Sequence, residues 1–224
     1  MFRFSRLSAL ARPNRSGMLL ALAAVAFLAA ATTVARAQFA PPSATTPVHD
    51  PAALRPPTGA RVAIVEFEDL ECPDCARANP LLKEATTQYK IPWVRHDFPL
   101  PFHNWSFNAA VNARWFDLKS KALGDNYRDA VFSNQTDITS LTVLADFTQK
   151  YAQSKGITMP FAVDPQGKLA ALVKADYALG QRIGIEHTPT IWVVTDHSKG
   201  APFVEVVDRS KLSQLIDEAL ADTR

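Results

Sequence analysis

The chain has 224 residues, 47% hydrophobic and 21% charged, with 16 Pro, 8 Gly and only 2 Cys. That is a globular composition, and two cysteines exclude a disulfide-stapled mini-protein and a four-cysteine zinc site. The net charge of +2 is misleading. Arg3, Arg6, Arg12, Arg15 and Arg36 lie in the first 37 residues with no acid among them, and beyond Ala37 19 basic residues face 22 acidic ones, which disfavours a nucleic-acid binder.

Residues 1–37 read as an export signal. Arginines precede the apolar run Met18 to Ala31, and Ala35-Arg36-Ala37 supplies the small residues of a cleavage site. The run is short for a membrane-spanning helix, so cleavage after Ala37 is expected ahead of a retained anchor. No Arg-Arg pair precedes the run and no cysteine follows it, so neither twin-arginine export nor lipid anchoring is indicated. Residues 38–60 hold six prolines and read as an extended tether rather than core.

Val62–Glu68 is a short, β-branched apolar run and predicts a buried strand. Cys72 follows after a short loop, and Pro73 suits the first turn of a helix predicted over Pro73 to Tyr89. Pro80 inside that helix is expected to kink it. Trp93–Phe98 predicts a second strand. Helices are expected over Asn104–Ala122, ending near Gly124, over Asn126–Ser133, and from Leu141 through Tyr151, closed by Gly156. Another starts at Asp164-Pro165 as N-cap and N1 and stops at Gly184. Thr190–Thr195 and Phe203–Val207 predict two strands around a turn at Ser198-Lys199-Gly200. Leu212, Leu215, Ile216, Ala219 and Leu220 mark a last helix. The expected order is β-α-β, four helices, β-β-α, an α/β class, with no internal repeat.

The chemistry lies in Cys72-Pro73-Asp74-Cys75. At a helix start, unpaired backbone N–H groups and the positive end of the dipole favour the Cys72 thiolate, the reactive form. Cys75 is near enough to close a small disulfide ring, so Cys72 can form a mixed disulfide that Cys75 resolves; in reverse, the pair oxidises substrate thiols. The same spacing also suits an inert local disulfide or half of a metal site. The latter needs further ligands from His49, His96, His103, His187 and His197, which show no recognisable spacing.

With these residues the chain resembles the DsbA-like thiol:disulfide oxidoreductases of the thioredoxin-fold superfamily, over about residues 60–222. Glu66 lies six residues before Cys72, at the place of the family's buried strand acid. Pro80 lies five after Cys75, at the place of its kink proline. Arg95-His96-Asp97-Phe98-Pro99-Leu100, His103 and Ala109-Ala110 look like the segment entering the family's helical insertion. Gly180, Gly184 and Ile185 lead into Thr188-Pro189, like its cis-proline loop. The resemblance implies a thioredoxin fold with an inserted helical domain over about residues 99–187. It makes Cys72 the nucleophile, Cys75 the resolving thiol, Glu66 the proton carrier for Cys75, and Thr188 and Pro189 the substrate-docking loop. It implies no cofactor or metal, since the disulfide itself is the redox agent. The implied partners are cysteine-containing exported polypeptides and a membrane redox protein that restores the active state, acting on a periplasmic or otherwise extracytoplasmic monomer.

Pro73 and Asp74 are the residues expected to tune the potential. Strongly oxidising members carry histidine where this chain has Asp74. A carboxylate beside Cys72 is expected to raise the thiol pKa by like-charge repulsion and so to moderate the oxidant. His187 is either a solvated loop residue or a second tuner of the thiolate. Trp93, Trp105, Trp115 and Trp192 read as core or groove lining. A reductase or isomerase of the same fold, and a non-enzymatic metal-binding module, remain alternative readings.

Overall fold

Strand β1 (Val62–Glu68) is the centre of the molecule, and all seven of its residues are buried. Side chains alternate across a strand, so the two faces meet different partners. Val62 and Ile64 pack with Ala78, Leu82 and Ala85 of helix α1 (Pro73–Tyr89) and with Leu212 and Ile216 of helix α6 (Leu212–Asp222). Ala63, Val65 and Phe67 pack on the other face with Trp192, Val194 and Ile183. The computed structural model describes residues 45–196 and 202–223. The expected signal segment, the first part of the proline-rich stretch and the Ser198-Lys199-Gly200 turn lie outside these.

The sheet order is β2-β1-β3-β4. Strand β2 (Trp93–Asp97) runs parallel to β1, with Glu66 opposite Arg95 and Glu68 opposite Asp97. Strand β3 (Thr190–Thr195) is antiparallel to β1, and β4 (Phe203–Glu205) antiparallel to β3. Four helices lie between β2 and β3: α2 (Ser106–Asp117), α3 (Lys121–Ser133), α4 (Leu141–Ser154) and α5 (Lys168–Ile183). The expected β-α-β, four-helix, β-β-α order is realised. Among the described residues no helix is long and apolar enough to cross a membrane.

Several expected boundaries move. The first long helix ends at Asp117, because Ser120 adopts an extended backbone and its side chain accepts from the Leu123 N–H, starting α3. Gly124 therefore sits in the first turn of α3 rather than stopping a helix. A side chain there would fall on the Asp117 carboxylate and displace it from Arg128. Helix α5 starts at Lys168 after Gly167, although Asp164 still accepts from the Ala170 N–H at 2.8 Å. It ends at Gly184 in the left-handed region, as expected. Strand β4 stops at Glu205 rather than Val207.

From residue 45 the proline-rich stretch is not a free tether. Leu54 is fully buried with Trp192 and Ile183, the His49 N–H donates to Ile183 O at 2.8 Å, and Thr46 donates to the Glu205 carboxylate. Proline stiffens the backbone, but apolar side chains among those prolines, Leu54 with Val48 beside it, still find a core to join.

Candidate active site

Cys72 is the N-cap of α1, with extended dihedrals, and Pro73 opens the helix without leaving an N–H unpaired. Both cysteines are free thiols. Cys72 is 7% exposed and Cys75 fully buried, so Cys72 is accessible only relative to its neighbour. The neutral Cys72 thiol donates to the Thr188 carbonyl at 3.2 Å. The Thr188-Pro189 peptide is cis, and the loop that carries it lies directly against the sulfur.

The two thiols are driven apart in acidity. The Cys75 S–H donates to the Cys72 sulfur, and the Thr188 side chain and the backbone N–H groups of Cys75 and Asp74 add to it; against the opposing effect of burial they lower the Cys72 pKa to about 6. Cys75 is pushed well above its ordinary value by burial, then by the proton it shares with Cys72 and by the negative charges of Cys72 and Glu66. Its sulfur also accepts the Asp69 N–H at 3.5 Å.

Glu66 lies on the face of β1 that packs under α1. It is 1% exposed. One carboxylate oxygen accepts the Trp93 indole N–H at 3.0 Å, and the other is buried without a partner. Burial, then repulsion from Glu68, raises its pKa to about 8 against the pull of Arg95 and Trp93. Glu66 is therefore mostly protonated at neutral pH, although surrounded by charge.

Asp74 departs from expectation. Its carboxylate is taken up by two guanidinium groups, Arg77 Nη2 at 3.0 Å and Arg209 Nη2 at 2.7 Å. The contribution of Asp74 to Cys72 is its backbone N–H, which favours the thiolate. The Cys72 pKa lies below its ordinary value even with Asp74 beside it, and the largest cause is the hydrogen bond from Cys75. Of the four tryptophans, Trp105, Trp115 and Trp192 are core, and Trp93 is half-buried and holds Glu66. His187 is half-buried beside the cis peptide, its carbonyl accepting from the Thr190 hydroxyl at 2.7 Å.

The structure adds residues that the sequence reading did not single out. Asp69, in the β1–α1 loop, is 1% exposed and accepts from the Glu71 and Leu100 N–H groups, the Ser106 hydroxyl and His103. Burial alone would lower the His103 pKa, but its bond to Asp69 and the charges of Asp69, Glu71 and Cys72 raise it. Glu71 accepts from the N–H groups of Trp105 and Ser106 and so caps α2. The Gln135 amide donates to the carbonyls of Leu70 at 2.8 Å and Cys72 at 3.0 Å, holding the redox turn against the helical layer. Behind Glu66, Glu68 is paired bidentately with buried Arg95 and lies 3.4 Å from Arg128, which in turn holds Asp117. Glu68 lies on the same face of β1 as Glu66, while Arg128 reaches it from α3, far along the chain, and left no local signal. Among the described residues no group of three or more His, Cys, Asp or Glu side chains is arranged to hold a metal ion.

A family model described as thioredoxin matches residues 57–218. The chain belongs to the thioredoxin family. Its fold is that of the DsbA-type members. The thiol-disulfide exchange protein alpha-DsbA2 from Wolbachia pipientis superposes with a TM-score of 0.58 at 20% identity, over 73% of this chain and 84% of that one. Oxidised BdbD from Bacillus subtilis gives 0.59 at 20% identity, over 80% of this chain and all of that one. ScsC from Proteus mirabilis gives 0.57 at 21%, over 77% of each chain. Among curated proteins none matches.

Proposed function

We propose that this thioredoxin-family chain is an exported thiol:disulfide oxidoreductase that forms disulfides in other exported proteins. The observation that carries this reading is the Cys72 thiol, lowered to about 6 at the N-cap of α1 beside a buried, far less acidic Cys75. A stabilised thiolate stabilises the reduced protein, which makes the disulfide the better oxidant. In the forward step a substrate thiolate attacks the Cys72 sulfur of the Cys72–Cys75 disulfide. The S–S bond breaks, Cys75 leaves with the electron pair, and Glu66 supplies its proton. A second substrate thiolate then attacks the substrate sulfur of the mixed disulfide, and Cys72 leaves as a thiolate. Two electrons pass to the protein; one substrate proton is retained through Glu66 and Cys75, and the other goes to solvent.

On this reading Thr188 and Pro189 dock an extended substrate segment against Cys72, and Pro73 keeps the helix start open to the sulfur. The substrates are unfolded exported polypeptides with paired thiols. A membrane redox protein reoxidises the pair, and the chain works as an extracytoplasmic monomer after signal cleavage. No cofactor takes part. The decisive experiment is equilibration of the full chain with a glutathione buffer. A potential between about −270 mV, typical of a reductant, and about −120 mV, typical of a strong oxidant, is expected, in line with a thiol pKa of intermediate depression. A potential at or below the reductant value, with rapid reduction of insulin and no oxidation of a dithiol peptide, overturns the oxidase assignment in favour of a reductase.

A further inference from the structure

Asp74 is held from two directions. Arg77, one turn along the same helix, reaches its carboxylate from a side chain 52% exposed, and pairs of that kind contribute little. Arg209 arrives from 135 residues further along the chain. Its side chain is 17% exposed, matching that of Asp74. It grips the one residue twice: Nη2 donates to the carboxylate at 2.7 Å and Nη1 to the Asp74 backbone carbonyl at 3.3 Å. The turn that delivers it, Arg209–Lys211, is itself pinned, since Asp208 accepts from the Ser210 N–H at 3.0 Å and the Ser210 hydroxyl at 2.7 Å. Helix α6 then anchors the turn through Leu212 and Ile216, which pack under β1 and α1.

We propose that Arg209 is a positioning residue of the redox site: it turns the Asp74 carboxylate towards the β4–α6 turn and so keeps an uncompensated negative charge away from the Cys72 sulfur. The inference rests on the dithiol-exchange reading and adds to it the device that lets an acid occupy the middle of the motif. A bare carboxylate in that place would oppose the thiolate. With the carboxylate held by a fixed guanidinium, the Asp74 influence that acts on the sulfur is its first-turn backbone N–H, which lowers the Cys72 pKa. The other charged groups that act on Cys72, namely Glu66 on β1 and His103 in the β2–α2 loop, are untouched by substitutions here.

The test is a double-mutant cycle in the full chain, with Arg209→Ala, Asp74→Asn, the combination, and Arg209→Lys. Two quantities are read for each: the midpoint of thiolate absorbance on titration of the reduced protein, and the equilibrium constant with glutathione. Arg209→Ala alone should raise the thiolate midpoint by about half to one pH unit and change the redox constant about threefold to tenfold towards the disulfide. In the Asp74→Asn background the same substitution should change both by less than a third as much, because there is no carboxylate to release. Arg209→Lys, which keeps the charge and loses the two-pronged grip, should fall between, and decides the matter if Arg209→Ala fails to fold. Equal shifts in both backgrounds would make Arg209 a direct cation or a mere strut, and no shift in either would remove it from the redox site. A chain that exchanges no disulfide with glutathione overturns the dithiol-exchange reading itself, a distinct outcome.

Discussion

Replacing Glu66 with glutamine should make the protein more stable and slower at once. In the unfolded chain the carboxyl loses its proton around its ordinary value of 4.5, whereas in the folded protein it keeps it to about 8. The proton-bound form is thus the one the fold favours. Its contribution is complete below about 4.5, is lost as pH rises through the interval, and is gone above about 8. At about 1.4 kcal/mol per pH unit, the cost of keeping Glu66 grows to about 3 kcal/mol by neutral pH. Glu66→Gln is neutral throughout and retains an oxygen for the Trp93 indole N–H. It should therefore gain about 1–3 kcal/mol over the parent at neutral pH, and nothing in acid. Urea unfolding of both proteins at several pH values, in the Cys72→Ser background where no thiolate acts on Glu66, reads this directly. The same substitution removes the group proposed to exchange a proton with Cys75, and stopped-flow oxidation of a dithiol peptide should slow by about tenfold to a hundredfold. Parallel stability profiles between acid and mildly alkaline pH would show that Glu66 is ionised in the fold. An unchanged exchange rate would show that Cys75 finds its proton elsewhere.

Alkylation of the reduced protein should modify Cys72 first, with a rate that rises through a midpoint of about 6 and then levels. Cys72→Ser should abolish exchange, while Cys75→Ser should accumulate mixed disulfides, and preferential labelling of Cys75 in a mass spectrum would reverse the assignment. Arg95→Met leaves Glu68 buried with only the longer Arg128 contact and should cost about 3–5 kcal/mol in urea unfolding; a loss under about 1 kcal/mol would mean that water reaches the carboxylate. Gly124→Ala should cost about 1–3 kcal/mol, because the methyl group displaces Asp117 from Arg128. A neutral or stabilising result in thermal melts would show that α2 and α3 can separate without penalty.

The parts legible in the sequence are those whose causes are local. Val62–Glu68 is rich in β-branched and apolar residues, Pro73 suits the first turn of a helix, and Gly184 ends one; each is found where these properties put it. Gly124 misled because glycine has two uses. As a helix stop it acts through its own backbone, but here it acts through the space it leaves for Asp117, a residue of another helix. Leu54 was hidden by six prolines, whose stiffness says nothing about whether a neighbouring side chain meets a core. The pairing of Asp74 was hidden for the same kind of reason. Its charge and its distance from Cys72 in the motif were plain, while the partner that redirects it comes from the far end of the chain. Local spacing names the charges at a site; only the fold says which of them are already paired.

The proposed reaction depends on acidities that change with the state of the sulfurs. In the disulfide form there is no Cys72 thiolate, so one of the influences that raise Glu66 is absent. Burial and Glu68 still hold its proton. When a substrate thiolate displaces Cys75, the new thiolate appears in a fully buried position where burial alone drives its pKa well above the ordinary thiol value. Proton transfer from Glu66 to Cys75 is then downhill, and it prevents Cys75 from simply reattacking the mixed disulfide. The second displacement releases Cys72 as a thiolate, lowered by the Cys75 S–H that has just been made. That new charge acts back on Glu66 and raises its pKa again, so the carboxylate recovers a proton from solvent. Each thiol thus prepares the next step for the other, and the buried acid is returned to its starting state without any group that the chain does not itself carry.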